Sequence, residues 1–279
     1  MDLMVQSIEE VATLRNGVDM PWFGLGVFLI QDGEPVEKAV QWALEAGYRS
    51  IDTAAVYRNE RGVGNAIDRS AVPREEIFVT TKVWNTDQGF DSTLKAFDAS
   101  LNRLRMEYVD LYLVHWPVKG KYKETWQAME KIYHSGRAKA IGVSNFLEHH
   151  LTDVMETAEV PPMVDQVEFH PRLQQPELQE FCRQYDIQLE AWRPIMRGQV
   201  NDIPELEDLA QKYGKTPVQV TLRWMIQKGI VTIPKSENKE RIRSNADIFE
   251  FEIEPGDLAT IDGLDRDERL GEHPDVFHF

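Results

Sequence analysis

Four side chains able to hold or move protons recur at comparable places along the chain. Asp52 and Tyr57 lie in IDTAAVYRNE, Lys82 in TTKVWN and His115 in YLVHWP. A phenol with an ordinary pKa near ~10 is too weak an acid to help at neutral pH unless a nearby cation favours its phenolate. Lys82 is such a cation, and Asp52 can keep it charged and oriented. His115 can donate or relay a hydrogen bond to a substrate oxygen. The set suits proton transfer to a carbonyl oxygen. None of the four is an electron source, so a reduction here needs a bound hydride donor. Singly they have ordinary roles: a helix cap, a rim contact, a solvated amine, a core histidine. Their recurrence at three successive strand ends is what packing does not explain.

The strands are read from eight β-prone runs: 22–28, 48–53, 77–84, 109–116, 138–145, 163–170, 187–192 and 230–236. Helix-patterned segments separate them. EPVEKAVQWALEAG puts Val36, Val40, Ala43 and Leu44 on one face, with Pro35 in the first turn and Gly47 at the end. STLKAFDASLNRL repeats the pattern through Leu94, Phe97, Leu101 and Leu104, and PELQEFCRQYD starts at Pro176. Eight strand and helix alternations predict an α/β chain folded as a (β/α)8 barrel, whose chemistry sits at the C-terminal strand ends. An open dinucleotide-binding sheet is the competing arrangement. It needs G-x-G-x-x-G, and GLGVFLI offers only Gly24 and Gly26, which read instead as sites of close backbone approach. EVATLRNGVDMP predicts a hairpin turning at Asn16-Gly17. No composition break divides residues 1–279, so a single domain is expected.

Composition removes several function classes. The 279 residues carry a formal net charge of -16, which disfavours nucleic acid and anionic membrane as partners. No apolar run is long enough to span a membrane. The first residues include Asp2, Glu9 and Glu10 and lack the apolar region of a secretory signal, so a cytoplasmic location is expected. Cys182 is the single cysteine, which excludes an internal disulfide and a cysteine-rich metal site. His134, His149, His150, His273 and His278 read as exposed helix or tail positions, and Glu168 with His170 makes only two ligands, so no metal is expected. GVSNF does not match a serine-hydrolase elbow.

Together, IDTAAVYRNE, TTKVWN, DLYLVHWP, AIGVSNF, DQVEFHP and IPKSENKERIRSN resemble the aldo-keto reductases, in order and over the whole chain. MPWFGLGVF, WNTDQGF and VEFHPRL are similar to the branch of bacterial glyoxal and methylglyoxal reductases, 2,5-diketo-gluconate reductases and prostaglandin F synthases. The resemblance implies a barrel whose bottom is closed by the N-terminal β-hairpin, NADPH/NADP+ as cofactor across its top, no metal, and a monomer. It implies Tyr57 as general acid tuned by Lys82 and Asp52, with His115 orienting a small-molecule carbonyl. It gives Ser144, Asn145 and Gln166 to the nicotinamide carboxamide, Trp192 to the ring, and Val27, Pro194 and Ile195 to the cofactor's surroundings. Lys235, Ser236 and Arg241 suit the 2'-phosphate, because cationic side chains and helix N–H groups favour an anion. Asn245 would reach the adenine, while Ser244 stands where many relatives carry Glu. Phe28, Trp84 and Trp116 would line the substrate pocket, Trp22 reads as core, and the short 119–122 segment predicts a wide pocket.

EAWRPIMRGQV departs from that family, with Arg193 and Arg197 where small or neutral residues are usual. Both are expected near the cofactor's pyrophosphate. The competing expectation is that they reach the acidic surface and pair with a neighbour such as Asp202 or Glu205. Two other functions are compatible with the sequence: a nicotinamide-sensing subunit with little turnover, and an unrelated phosphate-binding barrel isomerase.

Overall fold

The computed structural model describes residues 5–277, so Asp2 and His278 lie outside the described residues. Val11–Thr13 (β1) and Asp19–Pro21 (β2) form the expected antiparallel hairpin. Gly17 takes a left-handed φ of 82° at its turn and donates its N–H to the Leu14 carbonyl. Asn16 donates to the Lys139 carbonyl at 2.9 Å and Arg15 to that of Tyr185 at 3.3 Å. Lys139 lies at the start of the strand Ala138–Ser144 and Tyr185 just before the strand Gln188–Trp192, so the hairpin sits under the barrel, as expected.

Eight parallel strands follow in chain order: Leu25–Gly26 (β3), Ser50–Asp52 (β4), Phe78–Val83 (β5), Val109–Val114 (β6), Ala138–Ser144 (β7), Val164–Glu168 (β8), Gln188–Trp192 (β9) and Val231–Thr232 (β10). The sheet's two ends meet through a Phe23 to Thr232 bridge. Gly24 donates to the Thr232 carbonyl at 3.0 Å, and Thr232 to that of Trp22 at 3.1 Å. The result is the predicted (β/α)8 barrel. β3 and β10 are shorter than the runs 22–28 and 230–236; β10 stops before Pro234, which has no N–H to extend the ladder. Gly24 and Gly26 permit this closure. A Cβ would lie 2.8 Å from Ser50 Oγ at the first and 2.8 Å from the Ile233 carbonyl at the second.

Helices fill the connections. On Glu34–Glu45 (α1), Val36, Val40, Ala43 and Leu44 are buried, as their spacing predicts. Phe97, Leu101 and Leu104 are buried on Phe90–Leu104 (α2), with Leu94 half-buried. Each fully buried side chain of this size contributes about 1.5–3 kcal/mol. β5 and β6 are buried at every position, since helices cover one face and the barrel interior the other. Among the described residues no helix is long and apolar enough to cross a membrane.

Candidate active site

Asp52 ends β4 and Lys82 lies one residue before the end of β5, so both reach the barrel's C-terminal mouth from adjacent strands. Lys82 Nζ donates to both Asp52 carboxylate oxygens at 2.7 Å and to the Thr53 carbonyl at 2.9 Å. All three ammonium hydrogens are thereby satisfied. Burial opposes the ammonium, but Asp52 and neighbouring groups outweigh it and hold the pKa above the ordinary lysine value. Removing one partner of such a buried pair typically costs about 3–5 kcal/mol.

Tyr57 sits on the one-turn 3-10 segment Ala55–Tyr57 after β4, followed by Arg58 at a left-handed φ of 58°. Asn59, unnoticed in the sequence, fastens this loop. Its side chain accepts from Thr53 Oγ1 at 2.7 Å and donates to the Val27 and Ile30 carbonyls at 2.9 and 3.0 Å. The Tyr57 ring centroid lies 5.2 Å from Lys82 Nζ. Lys82 pulls the phenol's pKa down, but burial dominates and Asp52 opposes Lys82, leaving it pushed up to about 12. Lys82 favours the phenolate, as the sequence suggests, but burial sets the net direction, and Tyr57 keeps its proton through the physiological range.

His115 follows β6 with its ring centroid 5.7 Å from that of Tyr57. Burial, assisted by Lys82, holds its pKa well below the ordinary value, so the ring is neutral. Its Nδ1 is buried without a partner. A proton on Nδ1 would bury an unpaired donor, so the Nε2–H tautomer is favoured. Phe28 lies 5.0 Å from Tyr57 and Trp84 5.1 Å from His115, ring to ring. Trp116 packs against Phe277 at 4.4 Å, while Trp22 is buried core. The contact of Phe277 with Trp116 was not legible, because the tail approaches Trp116 only through the tertiary fold.

The expected cofactor residues fall into an inner and an outer group. Ser144, Asn145, Gln166 and Trp192 are linked to one another. Ser144 Oγ donates to the Gln166 carbonyl at 2.8 Å, Asn145 Nδ2 to Ser144 Oγ at 3.1 Å and to the His115 carbonyl at 2.9 Å, and Trp192 Nε1 to Asn145 Oδ1 at 2.9 Å. Val27, at the end of β3, donates to the Asp52 carbonyl at 3.0 Å. In the outer group, Lys235 and Arg241 are exposed and Ser236 is buried. Lys235 pairs with Glu237, whereas Arg241 has no ion pair among the described residues. Arg241 lies in the first turn of Lys239–Ala246 (α3), whose cap Asn238 accepts the Arg241 backbone N–H at 2.9 Å. Asn245 is buried on the same helix and Ser244 exposed.

The Aldo/keto reductase family matches residues 24–266. The chain belongs to that family. It is 54% identical over 276 residues to the glyoxal reductase of Bacillus subtilis, covering 99% of this chain and 100% of the relative. It is 44% identical to the Escherichia coli methylglyoxal reductase DkgA, over 96% of this chain and 98% of the relative. The crystal structure of a Gox0644 mutant in complex with NADPH matches with a TM-score of 0.91 and 43% identity, over 96% of this chain and 98% of that one. Family membership makes this chain an NADP(H)-dependent oxidoreductase.

In this aldo/keto reductase the two unusual arginines behave differently. Arg193 pairs with Glu168 at 3.4 Å and stacks over Trp192, its guanidinium carbon 5.0 Å from the ring centroid. The neighbour is therefore neither Asp202 nor Glu205. Arg197 is exposed at a left-handed φ of 56°. Pro194 is buried and Ile195 half-buried between them. Glu168 also accepts the Leu270 and Gly271 backbone N–H groups at 3.0 and 2.9 Å and meets His170 Nε2 at 3.4 Å. It ties the C-terminal segment to the barrel mouth, a role without a local sequence signal.

The histidines read as separate exposed positions are partly brought together. His149 and His150 Nε2 lie 2.9 and 3.3 Å from Asp275 Oδ1. His150 Nδ1 accepts the Leu147 N–H at 3.2 Å, which leaves Nε2 protonated toward Asp275. That arrangement is a hydrogen-bonded clasp on the C-terminal segment. Glu190 was also missed: buried on β9, it accepts from Gln166 Nε2 at 2.7 Å.

Proposed function

We propose that this chain reduces small aldehydes and α-dicarbonyls such as methylglyoxal to alcohols with NADPH, with Tyr57 as the general acid. The observation that carries this reading is the buried Asp52 and Lys82 pair beneath a protonated Tyr57, with neutral His115 beside it. NADPH, held by Ser144, Asn145, Gln166 and Trp192, would supply the hydride for the carbonyl carbon. The developing alkoxide is a far stronger base than a phenolate, so it takes the Tyr57 proton even though the phenol's pKa is about 12. Lys82 steadies the resulting phenolate, and Asp52 keeps Lys82 charged and in place. His115, as the Nε2–H tautomer, donates a hydrogen bond to the substrate oxygen and orients it.

The chain's own residues fit the cofactor. Gln166 Oε1 has no partner among the described residues, while its Nε2 is fully engaged, so it stands ready to accept a carboxamide N–H. Ser144 and Asn145 border the same place, with Trp192 beside them. Arg241, without an ion pair among the described residues at the start of α3 in an acidic chain, supports a 2'-phosphate and hence NADPH over NADH. Phe28, Trp84 and Trp116 support an aromatic pocket for small carbonyls. The acidic surface fits small-molecule substrates rather than nucleic acid.

NADPH oxidation, followed across a panel of aldehydes, dicarbonyls and ketones, tests the reading. Tyr57→Phe is expected to lower kcat by about 10²- to 10⁴-fold while leaving NADPH binding intact. Full activity in that variant would remove Tyr57 as the acid. Wild-type binding of NADPH without turnover on any carbonyl would favour a nicotinamide-sensing role.

A further inference from the structure

Glu190 lies in the barrel interior with no exposed surface, level with Gln166 on the paired strand β8. Gln166 Nε2 stands between two carboxyl groups, 2.8 Å from Asp52 Oδ2 and 2.7 Å from Glu190 Oε2. An amide nitrogen has two hydrogens, and both are used there. The reversed amide would set its carbonyl oxygen against the carboxyl oxygens of Asp52, which are ion-paired with Lys82. Two acceptors below therefore fix which end of Gln166 faces them, and the remaining group, Oε1, can only accept.

Asp52 alone provides one of these two anchors. With Glu190 removed, one Gln166 N–H would lack a partner inside a buried site, and the amide, held by Asp52 alone, could swing about that single bond and carry Oε1 out of place. Ser144 and Asn145 are committed to other partners: Ser144 Oγ joins Asn145 Nδ2 to the Gln166 backbone carbonyl, and Asn145 Oδ1 accepts from Trp192.

We propose that Glu190 is a positioning residue that locks the Gln166 amide with Oε1 as acceptor, so that the site selects a nicotinamide bearing a carboxamide N–H. This rests on the assignment of Gln166 to the cofactor carboxamide. Glu190 touches neither substrate nor cofactor; it acts through Gln166. Its function needs only an acceptor oxygen, not a charge, so Gln at 190 should serve as well as Glu.

The test compares binding of NADP+ with its 3-acetylpyridine analogue, whose methyl ketone lacks the amide N–H. Tryptophan fluorescence without substrate gives both affinities. The wild type is expected to prefer NADP+ by about fivefold to tenfold, the worth of one neutral hydrogen bond. Glu190→Met should bring the ratio toward one, and Glu190→Gln should restore it. Glu190→Ala serves if the methionine variant does not fold. An unchanged ratio in both the methionine and alanine variants would overturn the proposal. So would loss of the preference in Glu190→Gln, which would implicate charge instead of an acceptor. A wild type that binds neither dinucleotide would instead remove the functional reading on which the proposal rests.

Discussion

The two ends of the expected cofactor site are built on opposite principles. At the inner end, Asp52, Lys82, Gln166 and Glu190 are buried, and each is held by hydrogen bonds of 2.7 to 2.9 Å that reach it from other strands of the barrel. At the outer end, Lys235, Arg241 and Arg197 are exposed on loops and a helix start. The inner end is rigid before any ligand arrives, as a site must be if its donors are to meet developing charge without reorganising. On the proposed reading, solvated cations at the outer end would add affinity for phosphate but fix little geometry, separating chemistry from retention of the dinucleotide.

The sharpest way to break that contrast is Lys82→Met. It leaves Asp52 as a buried, uncompensated carboxylate, with an expected loss of about 3–5 kcal/mol in stability, measured by denaturant unfolding, together with loss of reductase activity. A small stability change would show the inner end to be less buried than its geometry implies.

Arg241→Ala tests the outer end. NADPH binding should weaken by roughly tenfold at low salt, with the difference shrinking as salt rises and with little change in kcat or unfolding. Equal weakening of NADH binding would remove the 2'-phosphate from the argument.

The pH dependence of stability sharpens the inner end further. Burial, then repulsion from Asp52, raises the Glu190 pKa from an ordinary 4.5 to about 8. A carboxyl whose folded pKa is raised contributes stability below its unfolded pKa, and that contribution fades as pH climbs through the folded value. Glu190→Gln should therefore gain in Tm relative to the wild type between pH 5 and pH 9, by scanning calorimetry. A constant offset across that range would contradict a proton held on Glu190.

The smallest effect is expected from Arg193→Ser. Because its guanidinium pairs with Glu168, the salt dependence of NADPH binding should barely move, while unfolding shifts by no more than about 1–2 kcal/mol. A large change in salt dependence would mean that Arg193 leaves Glu168 for the phosphates.

The barrel was legible because each strand run and helix stripe is a local pattern, and the order of elements permits few topologies. Asp52, Tyr57, Lys82 and His115 were legible because a barrel places strand ends at one mouth. Asn59, Glu190 and Phe277 were not, and Glu168 was legible only as a strand-end residue, since nothing in their neighbourhoods marks a role that comes from residues on other strands or the far terminus. Protonation states also lay beyond the sequence. Lys82 next to Tyr57 suggested a lowered phenol pKa, and burial reversed the direction.

The sequence by itself determined the class of fold, the family and the residue types that can move a proton, because these depend on pattern and composition. Only the tertiary structure decided that Arg193 serves Glu168, that Gln166 is held from below by two carboxyl groups, and that Tyr57 and His115 are both neutral. Those outcomes depend on distance and desolvation, and neither exists until distant strands close around a common interior.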